Sequence, residues 1–381
     1  MKRILVVQLY RIGDVLQSFP VFKGLRAEFP DARLDLLTDP MVAEAAALCP
    51  DIDQVLRFPR PSLRRMLLKE GDALQALYLS AAAIERLHSE DYDLVVNLHQ
   101  DVLGQRIAGA LENPATLGPV IPPEGGQRLL GTGAAALVKA VEDRKNHRKN
   151  LVDHFLEIAG LESCGRGRIH IPRTARLKAA ELLESRLPGN GPIVTIQAGT
   201  SRAFRGLQAS WIEAVQHRIP WARYAWIGSE AERAGIEANL KAGLKGACFA
   251  GETGLSEAAA VVGASNLVLS GDTAAIHFAA LLDVPSVSAF FGTAQPFETG
   301  PYGTGHLCVY DPPACAPCRL MNGCEKPACK TAFDQVLLAE ACASVLEGSP
   351  PPEGAWMSVL LPEGLAWEQA PARGMTAYAE I

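Results

Sequence analysis

Short apolar runs alternate along this chain with amphipathic segments that have the period of a helix. The first run, Arg3 to Leu9, is rich in Ile, Leu and Val, which is typical of a parallel strand buried on both faces. Further strands are predicted at Leu34–Thr38, Asp53–Phe58 and Asp93–Leu98, with helices from the Tyr10–Asp14 turn to Phe29, over Val42–Leu48 and over Pro61–Leu87. This alternation predicts a doubly wound α/β domain.

The same alternation restarts after Pro188–Pro192, a strong breaker of regular structure. Strands are predicted at Ile193–Gln197, Tyr224–Ile227, Ala247–Ala250, Leu267–Ser270 and Ser286–Phe290. A helix is expected near Ser210, which has capping-box spacing with Glu213. We therefore expect two Rossmann-like α/β domains, residues 1–175 and 176–349, and a surface tail at 350–381.

Composition narrows the class of protein. The chain has 381 residues and a net charge of −6, which argues against nucleic acid as the main partner. The N-terminus lacks the pattern of a signal peptide, and no apolar run approaches the roughly 18 residues of a membrane span. We expect a cytoplasmic protein whose nine cysteines are reduced.

The first segment with candidate site residues follows the first strand and is Arg11-Ile12-Gly13-Asp14. Ligands of open α/β sheets bind at the carboxyl ends of strands, where a carboxylate can act as a general base. Asp14 is therefore either a catalytic base or a simple cap of the following helix.

A second candidate segment, Ser270 to His277, joins a strand to an apolar helix. The first amides of that helix, with the Thr273 hydroxyl, would form a cradle for a diphosphate. Asp272 could cap the helix or position a donor hydroxyl. His277 faces either the phosphates or the core.

A third candidate is the loop from Gln197 to Arg205, which follows the first strand of the second domain. Its Thr200 hydroxyl and the guanidinium groups of Arg202 and Arg205 suit phosphate binding. A solvated loop without a ligand is the alternative.

Together these segments resemble the heptosyltransferases of glycosyltransferase family 9. The matching positions are Arg11, Gly13 and Asp14, the Trp226–Glu232 segment, Asp272-Thr273 with His277, Ala279-Ala280 with Pro285, and Gly292 with Pro296. The resemblance covers roughly residues 1–345, and it depends on the order and spacing of these pieces together.

The resemblance implies a GT-B fold of two Rossmann-like domains facing a central cleft, and an inverting, metal-independent transfer. Asp14 would deprotonate the acceptor hydroxyl beside Gly13, and Glu232 would contact the nucleotide. Amides at Thr273 and Ala274, with Arg202 or Arg205, would stabilise the departing diphosphate. The family default is ADP-heptose as donor and a lipid-linked lipopolysaccharide-core glycan as acceptor, with no cofactor required.

Four departures from the family pattern concern the donor. The loop after Gln197 lacks a Lys shortly before Trp211, and Arg205 is the substitute by position. Ala274 stands where the family has Gly, so a methyl group would crowd a diphosphate packed on the backbone. Gln197 replaces the residue that usually closes its strand, and Thr293-Ala294 stands where the family has Pro-Thr.

Two basic clusters stand apart from these motifs, one with Arg64, Arg65 and Lys69 and one that includes Arg144 and Lys145. Each is either a solvated helix face or a contact for an anionic acceptor and the cytoplasmic leaflet of the inner membrane.

Four cysteines, Cys315, Cys318, Cys324 and Cys329, lie within fifteen residues. Plain reduced thiols, a structural zinc and redox chemistry are the three interpretations of this cluster. A bound metal would act as a staple rather than as a catalyst.

Three other functions compete with transfer. A non-catalytic nucleotide- or glycan-binding protein would bind donor without turnover. A sugar-nucleotide epimerase or hydrolase of the same fold would turn donor over without acceptor. A zinc-dependent interaction module would depend on the cysteine cluster alone.

Overall fold

The chain divides into two compact units. The structure is a computed structural model that describes residues 2–113, 115–200, 203–319, 324–325 and 327–371. The first unit comprises Met1–Asp143 and Leu151–His170, and the second comprises Arg144–Asn150 and Ile171–Ile381.

The Arg144–Asn150 segment belongs to the second unit although the residues on both sides of it belong to the first. Asn150 Nδ2 donates to the Gly300 carbonyl at 3.2 Å, and Gln295 Nε2 donates to the Arg144 carbonyl at 2.6 Å. The second basic cluster is therefore attached to the second unit.

The first unit contains a six-stranded sheet of order β3-β2-β1-β4-β5-β6. Its strands are β1 Arg3–Val7, β2 Arg33–Thr38, β3 Gln54–Arg57, β4 Leu94–Asn97, β5 Thr116–Val120 and β6 Arg128–Leu130. β1 to β5 run parallel, and β6 is antiparallel to β5. Ile4, Leu5, Val6 and Val7 are fully buried, as expected for a central parallel strand. The predicted strands of this unit are confirmed.

Helices cover the sheet of the first unit. They are α1 Ile12–Gln17, α2 Phe19–Glu28, α3 Ala43–Ala46, α4 Arg60–Arg65, α5 Ala73–His88, α6 Val102–Ala110, α7 Thr132–Glu142 and α8 Leu151–Ile158. The prediction of one helix over Pro61–Leu87 is wrong, because a π-helical turn at Met66–Glu70 separates α4 from α5. Gly71 ends that turn in the left-handed conformation, and Asp72 caps α5 by accepting from the Gln75 amide at 2.9 Å.

The second unit contains an eight-stranded sheet of order β14-β13-β12-β11-β10-β7-β8-β9. Its strands are β7 Ile193–Gln197, β8 Arg223–Trp226, β9 Ala247–Cys248, β10 Leu267–Ser270, β11 Ser286–Ala289, β12 Leu307–Val309, β13 Trp356–Leu361 and β14 Gly364–Gln369. β7 to β12 run parallel, and the last two strands are antiparallel. The predicted strands of this unit are confirmed as well.

The helices of the second unit follow its strands. They are α9 Arg173–Arg186, a short 3-10 helix Ala203–Arg205, α10 Ala209–Arg218, α11 Glu230–Lys241, α12 Leu255–Gly263, α13 Ala274–Leu282, α14 Pro296–Thr299, α15 Ala328–Thr331 and α16 Gln335–Glu347. The capping box predicted at Ser210 and Glu213 is wrong, because Ser210 already lies inside α10 and Gln208 is its N-cap. Ser229 and Glu232 form a capping box at α11 instead.

The C-terminal segment differs from the expected surface tail, since β13 and β14 form a hairpin that extends the sheet beyond β12. The Trp356 ring lies 5.3 Å from that of Phe297, at a right angle. Trp367 lies so close to Gly300 that a methyl group added there would come within 2.4 Å of its Cζ2. Both tryptophans pack on a buried cluster around Phe290 and Phe297, and burial of this surface accounts for the ordered hairpin. The tail residues 372–381 lie outside the described residues.

No helix in the described part of the chain is both long and apolar enough to cross a membrane.

The hairpin yields a test of stability. Trp367→Ala is expected to lower the free energy of unfolding by about 3 kcal/mol, because it removes a packed aromatic ring. Trp221→Ala is the matched control, since its side chain is exposed, and it should cost no more than about 0.5 kcal/mol. Urea unfolding monitored by circular dichroism measures both. Equal effects of the two substitutions would show that the hairpin does not contribute to the core.

Candidate active site

The candidate site residues of the first unit lie where the order of the strands reverses. β1 pairs with β2 on one side and with β4 on the other, so the connection that leaves β1 runs to β2 and the one that leaves β4 runs the opposite way, to β5. Open α/β sheets bind ligands at this switch point. Gln8 to Asp14 follow β1 there, and Leu98 to Asp101 follow β4.

Asp14 lies in the first turn of α1 and is half-buried. The N-cap of α1 is Arg11, so Asp14 is not the capping residue of this helix. Arg11 has φ 71° and ψ 118°, a conformation that costs a residue with a side chain roughly 1–3 kcal/mol. Strain of this size at a strand end is typical of a functional turn. The role of Asp14 as a base stays a prediction.

His99, which the sequence interpretation missed, lies in the same place. Its Nδ1 is 2.7 Å from Gln8 Oε1, and its ring meets that of Tyr10 edge to face at 4.4 Å. Its Nε2 lies 3.0 Å from Asp101 Oδ1 but makes no hydrogen bond in this structure. The only sequence signal was its position just after β4.

Two guanidinium groups lie near His99 at this edge of the sheet, those of Arg11 and Arg60. Burial and, to a smaller extent, the nearby guanidinium groups of Arg11 and Arg60 lower the pKa of His99 to about 4. Arg60 lies 4.6 Å over the Tyr10 ring and pairs with the buried Asp39 at 2.6 Å. His99 is therefore neutral near pH 7, and the edge suits an anionic ligand.

The residues predicted for the acceptor lie in different places. Gly13 precedes Asp14 in α1, whereas Arg64 and Arg65 are exposed on α4. Arg65 pairs with Glu70 at 3.1 Å. Lys145 is exposed in the segment attached to the second unit, and Arg144 lies beside it.

The second unit has an equivalent switch point between β7 and β10, where Gln197 and Ser270 are paired. The Ser270 and Thr273 hydroxyls lie 2.8 Å apart, and the Thr273 hydroxyl donates to Gln197 Oε1 at 3.1 Å. The departure at Gln197 therefore has a structural role, since its side chain connects the end of β7 to the start of α13.

The N-terminus of α13 is the predicted anion cradle. Thr273 is its N-cap and accepts from the Ala275 amide at 3.2 Å, and Ala274 is the first helical residue. The helix dipole gives this end a partial positive charge. Arg205 forms an ion pair with Asp272, which brings a guanidinium to the same place. Arg202 lies outside the described residues.

Arg144, predicted for the acceptor, also lies near Asp272. Its Nε donates to Glu298 Oε1 at 2.7 Å, and its Nη2 donates to the Thr293 carbonyl at 2.8 Å. The carboxylate of Glu298 raises the pKa of Arg144, and that of Asp272 adds a smaller effect. Arg144 therefore fixes the loop that follows β11.

Glu232 connects the loop after β7 to the start of α11. Its Oε2 accepts from the Ser229 amide and hydroxyl, each at 2.7 Å. A methyl group added at Gly199 would lie 1.9 Å from Glu232 Oε1, so any larger residue there would displace the Glu232 carboxylate. Thr200, also predicted for the donor, is the next residue and is half-buried.

His277 lies on the second turn of α13 and is buried. Burial lowers the pKa of its imidazole to about 4, and the charge of Asp272 opposes the shift only weakly. His277 is therefore neutral near pH 7, close to the predicted phosphate cradle.

The cysteine cluster lies next to Gly292, whose carbonyl accepts from the Cys318 amide at 2.7 Å. Burial raises the pKa of Cys329, and the neighbouring Cys324 and Cys315 raise it further. The described residues include no group of three or more His, Cys, Asp or Glu side chains that could hold a metal ion. The structural zinc, one of the three interpretations of this cluster, stays a prediction.

The neutral His277 makes stability depend on pH. A histidine whose folded pKa lies below its unfolded value stabilises the protein above pH 6.5, and this contribution is lost as the pH falls to about 4. The unfolded chain takes up a proton in that range and the folded chain does not. As the pH falls through this range, the free energy of unfolding of His277→Gln should therefore drop by roughly 3 kcal/mol less than that of the wild type.

Urea unfolding at both ends of that pH range measures the difference. His217→Gln is the control, because the His217 side chain is 80% exposed. It should follow the wild-type pH dependence. An identical pH dependence for His277→Gln would show that His277 is not held neutral by burial.

Comparisons with known proteins agree with this geometry. The family model described as glycosyltransferase family 9 (heptosyltransferase) matches residues 150–328. Lipopolysaccharide heptosyltransferase 1 of Pseudomonas aeruginosa strain PAO1 is 27% identical over 346 residues, which cover 83% of this chain and 86% of that protein.

Solved structures share the two-unit fold. A glycosyl transferase family 9 protein from Veillonella parvula has a TM-score of 0.68 at 19% identity, and the match covers 91% of this chain and 98% of that one. The ADP-heptose lipopolysaccharide heptosyltransferase II of E. coli has a TM-score of 0.63 at 15% identity, and the match covers 91% of this chain and 99% of that one. The α/β fold is therefore that of GT-B enzymes. The family model and the P. aeruginosa relative agree with the resemblance to glycosyltransferase family 9, the heptosyltransferase family, that the sequence motifs indicate.

Proposed function

We propose that this chain is an inverting glycosyltransferase that moves a heptose from ADP-heptose to a lipopolysaccharide-core or related envelope glycan. The names of the P. aeruginosa relative and the E. coli neighbour support the sugar, the nucleotide and the acceptor class. A nucleotide-sugar donor places the reaction in the cytoplasm, with a lipid-linked acceptor at the inner membrane.

One observation gives this proposal its main support. Each unit has its candidate chemistry at its own switch point, a carboxylate at Asp14 in the first and a positively polarised helix end at Thr273 in the second. Transfer needs a base for the acceptor hydroxyl and a stabiliser for a departing diphosphate, and these two groups can supply them.

In the proposed step Asp14 accepts the proton of the acceptor hydroxyl as its oxygen attacks the anomeric carbon of the donor. The new carbon–oxygen bond forms on the face opposite the diphosphate, whose bond to the same carbon breaks, so the configuration inverts. The leaving diphosphate takes both electrons of that bond. The amides at the start of α13 and the guanidinium of Arg205 stabilise its charge, so the step needs no metal.

Further residues fit the donor in this scheme. Glu232 and Thr200 would contact the nucleotide, and the neutral His277 would line the site beside the phosphates. The Ala274 methyl group would limit how closely the diphosphate approaches the backbone. For Arg144, the contacts with Glu298 and Thr293 favour the donor side over the acceptor side.

The acceptor is proposed to meet the first unit. Gly13 allows close approach beside Asp14, and Arg11 and Arg60 supply positive charge for an anionic glycan. Arg64, Arg65 and Lys145 remain proposed acceptor contacts as exposed cations.

Asp14→Asn tests the proposed base. It should lower kcat about 10²- to 10⁴-fold with the KM for ADP-heptose unchanged, because the amide cannot accept the proton. Release of ADP in the presence of a lipopolysaccharide-core acceptor measures this. Asp31→Asn, at an exposed position, is the control and should keep wild-type kcat.

A wild-type protein that binds a nucleotide sugar but releases no nucleotide would support a non-catalytic binding protein. Release that is independent of the acceptor would indicate a hydrolase or an epimerase. Retention of activity in Asp14→Asn would remove Asp14 from the mechanism.

Arg205→Gln tests the phosphate site. It should weaken ADP binding about 10- to 100-fold, because it removes a guanidinium and leaves Asp272 unpaired beside the diphosphate. Calorimetric titration with ADP measures the change. Arg218→Gln is the matched control, since Arg218 is also ion-paired in the second unit, with Glu340 and Glu347. Equal affinities for the two variants would exclude Arg205 from the phosphate site.

A further inference from the structure

Exposed apolar side chains are concentrated in one short stretch of the first unit. Among the described residues, twelve large hydrophobic side chains are exposed, and five of these lie between positions 67 and 78. We call these five the apolar ridge: Leu67, Leu68, Leu74, Leu77 and Tyr78, which are 54% to 72% exposed. Clustered exposure of this kind marks an interaction surface, whereas single exposed leucines are ordinary.

Local structure explains why these side chains lie together. Leu67 and Leu68 are in the π-helical turn, and the left-handed Gly71 leads from that turn into α5. Leu74, Leu77 and Tyr78 are three and four residues apart, so they share one face of α5.

The ridge is a fixed feature rather than the face of a detached helix. The other face of α5 is anchored, since Ala76 and Leu87 are buried. Ala83 and Ile84 of that face pack on the core cluster that contains Leu5 and Val7.

Positive charge accompanies the ridge. Arg64, Arg65 and Lys69 are exposed beside it, on a chain whose net charge is −6. Of the two nearby carboxylates, Glu70 pairs with Arg65 and Asp72 caps α5. Exposed leucines flanked by cations match the surface of an anionic bilayer, where apolar groups enter the headgroup boundary and cations meet lipid phosphates. A second copy of the chain fits less well, because a twofold contact would bring like charges together.

The ridge is continuous with the candidate acceptor edge. α4 begins at Arg60, whose guanidinium lies over Tyr10 next to Arg11. A bilayer that held the ridge would therefore bring lipid-linked glycans to the part of the unit that carries Asp14.

We propose that the apolar ridge with Arg64, Arg65 and Lys69 is a docking surface for an anionic lipid bilayer. This inference rests on the proposed function only for the role of the docking, which would be to deliver a lipid-linked acceptor. The docking itself depends on the ridge and its cations, and it can be measured without turnover.

Flotation with lipid vesicles tests the surface. The full-length protein is mixed with vesicles of phosphatidylcholine alone, or with about one quarter phosphatidylglycerol. We expect binding to the anionic vesicles only, with about a tenfold loss on raising the salt from about 0.1 M to about 1 M. Leu74→Gln/Leu77→Gln should lower the bound fraction at least about tenfold, because it removes apolar groups that enter the boundary.

Controls separate docking from folding and from catalysis. Leu177→Gln is matched, since Leu177 is 60% exposed on α9 in the other unit, and it should bind vesicles like the wild type. Circular dichroism checks that the leucine variants are folded. Their ADP release with a delipidated, water-soluble acceptor should be unchanged, while release with vesicle-embedded acceptor should fall.

Several outcomes would overturn the proposal. They are no binding of the wild type to anionic vesicles, equal binding to both kinds of vesicle, and wild-type binding by the ridge variant. Self-association that the leucine substitutions abolish, without vesicle binding, would assign the ridge to a second copy instead. Vesicle binding that depends on the ridge in a protein with no transferase activity would keep the docking surface and remove the proposed function.

Discussion

Parallel strand pairing is the constraint on which both candidate sites depend. β1 has parallel neighbours on both sides, β2 and β4, and β7 has β8 and β10. Parallel neighbours require crossover connections over the faces of the sheet. The central pairs are β1 with β4 and β7 with β10, and the connections that leave the two strands of each pair run in opposite directions. The carboxyl ends of those pairs are therefore left open to a ligand. Asp14, His99 and Thr273 follow such ends, and Gln197 is the last residue of β7, which accounts for the similar position of the candidate residues in the two units.

The same constraint explains what could be predicted from the sequence. Strands buried on both faces have unbroken apolar runs, so Ile193–Gln197 and Leu267–Ser270 were predicted with their observed bounds. The residues just after a predicted strand are then the natural candidates for a site. Asp14 and Thr273 were chosen as candidates in this way, without knowledge of their contacts.

Features that depend on distant partners could not be predicted. His99 matters because its ring meets Gln8, 91 residues away, and the Gln197 contact with Thr273 spans 76 residues. The hairpin at the C-terminus is ordered because Trp367 covers Gly300, which no local pattern records. The break in the predicted Pro61–Leu87 helix is a different case. Gly71-Asp72 was visible in the sequence, but the apolar periodicity on both sides outweighed it.

Net charge was the least informative property of the sequence, since the electrostatics of this protein are local. The chain is acidic overall, yet Arg11 and Arg60 set a positive environment around His99, and Arg205 lies at the positive end of α13. Other cations are paired with carboxylates, as are Arg186 and Arg233, which both pair with Glu252. Salt screens exposed charges beyond about 8 Å at physiological ionic strength, whereas contacts with a bound anion act within that distance. An acidic chain can therefore present a locally positive site to an anionic ligand where a few of its cations lie at the ends of the central strands.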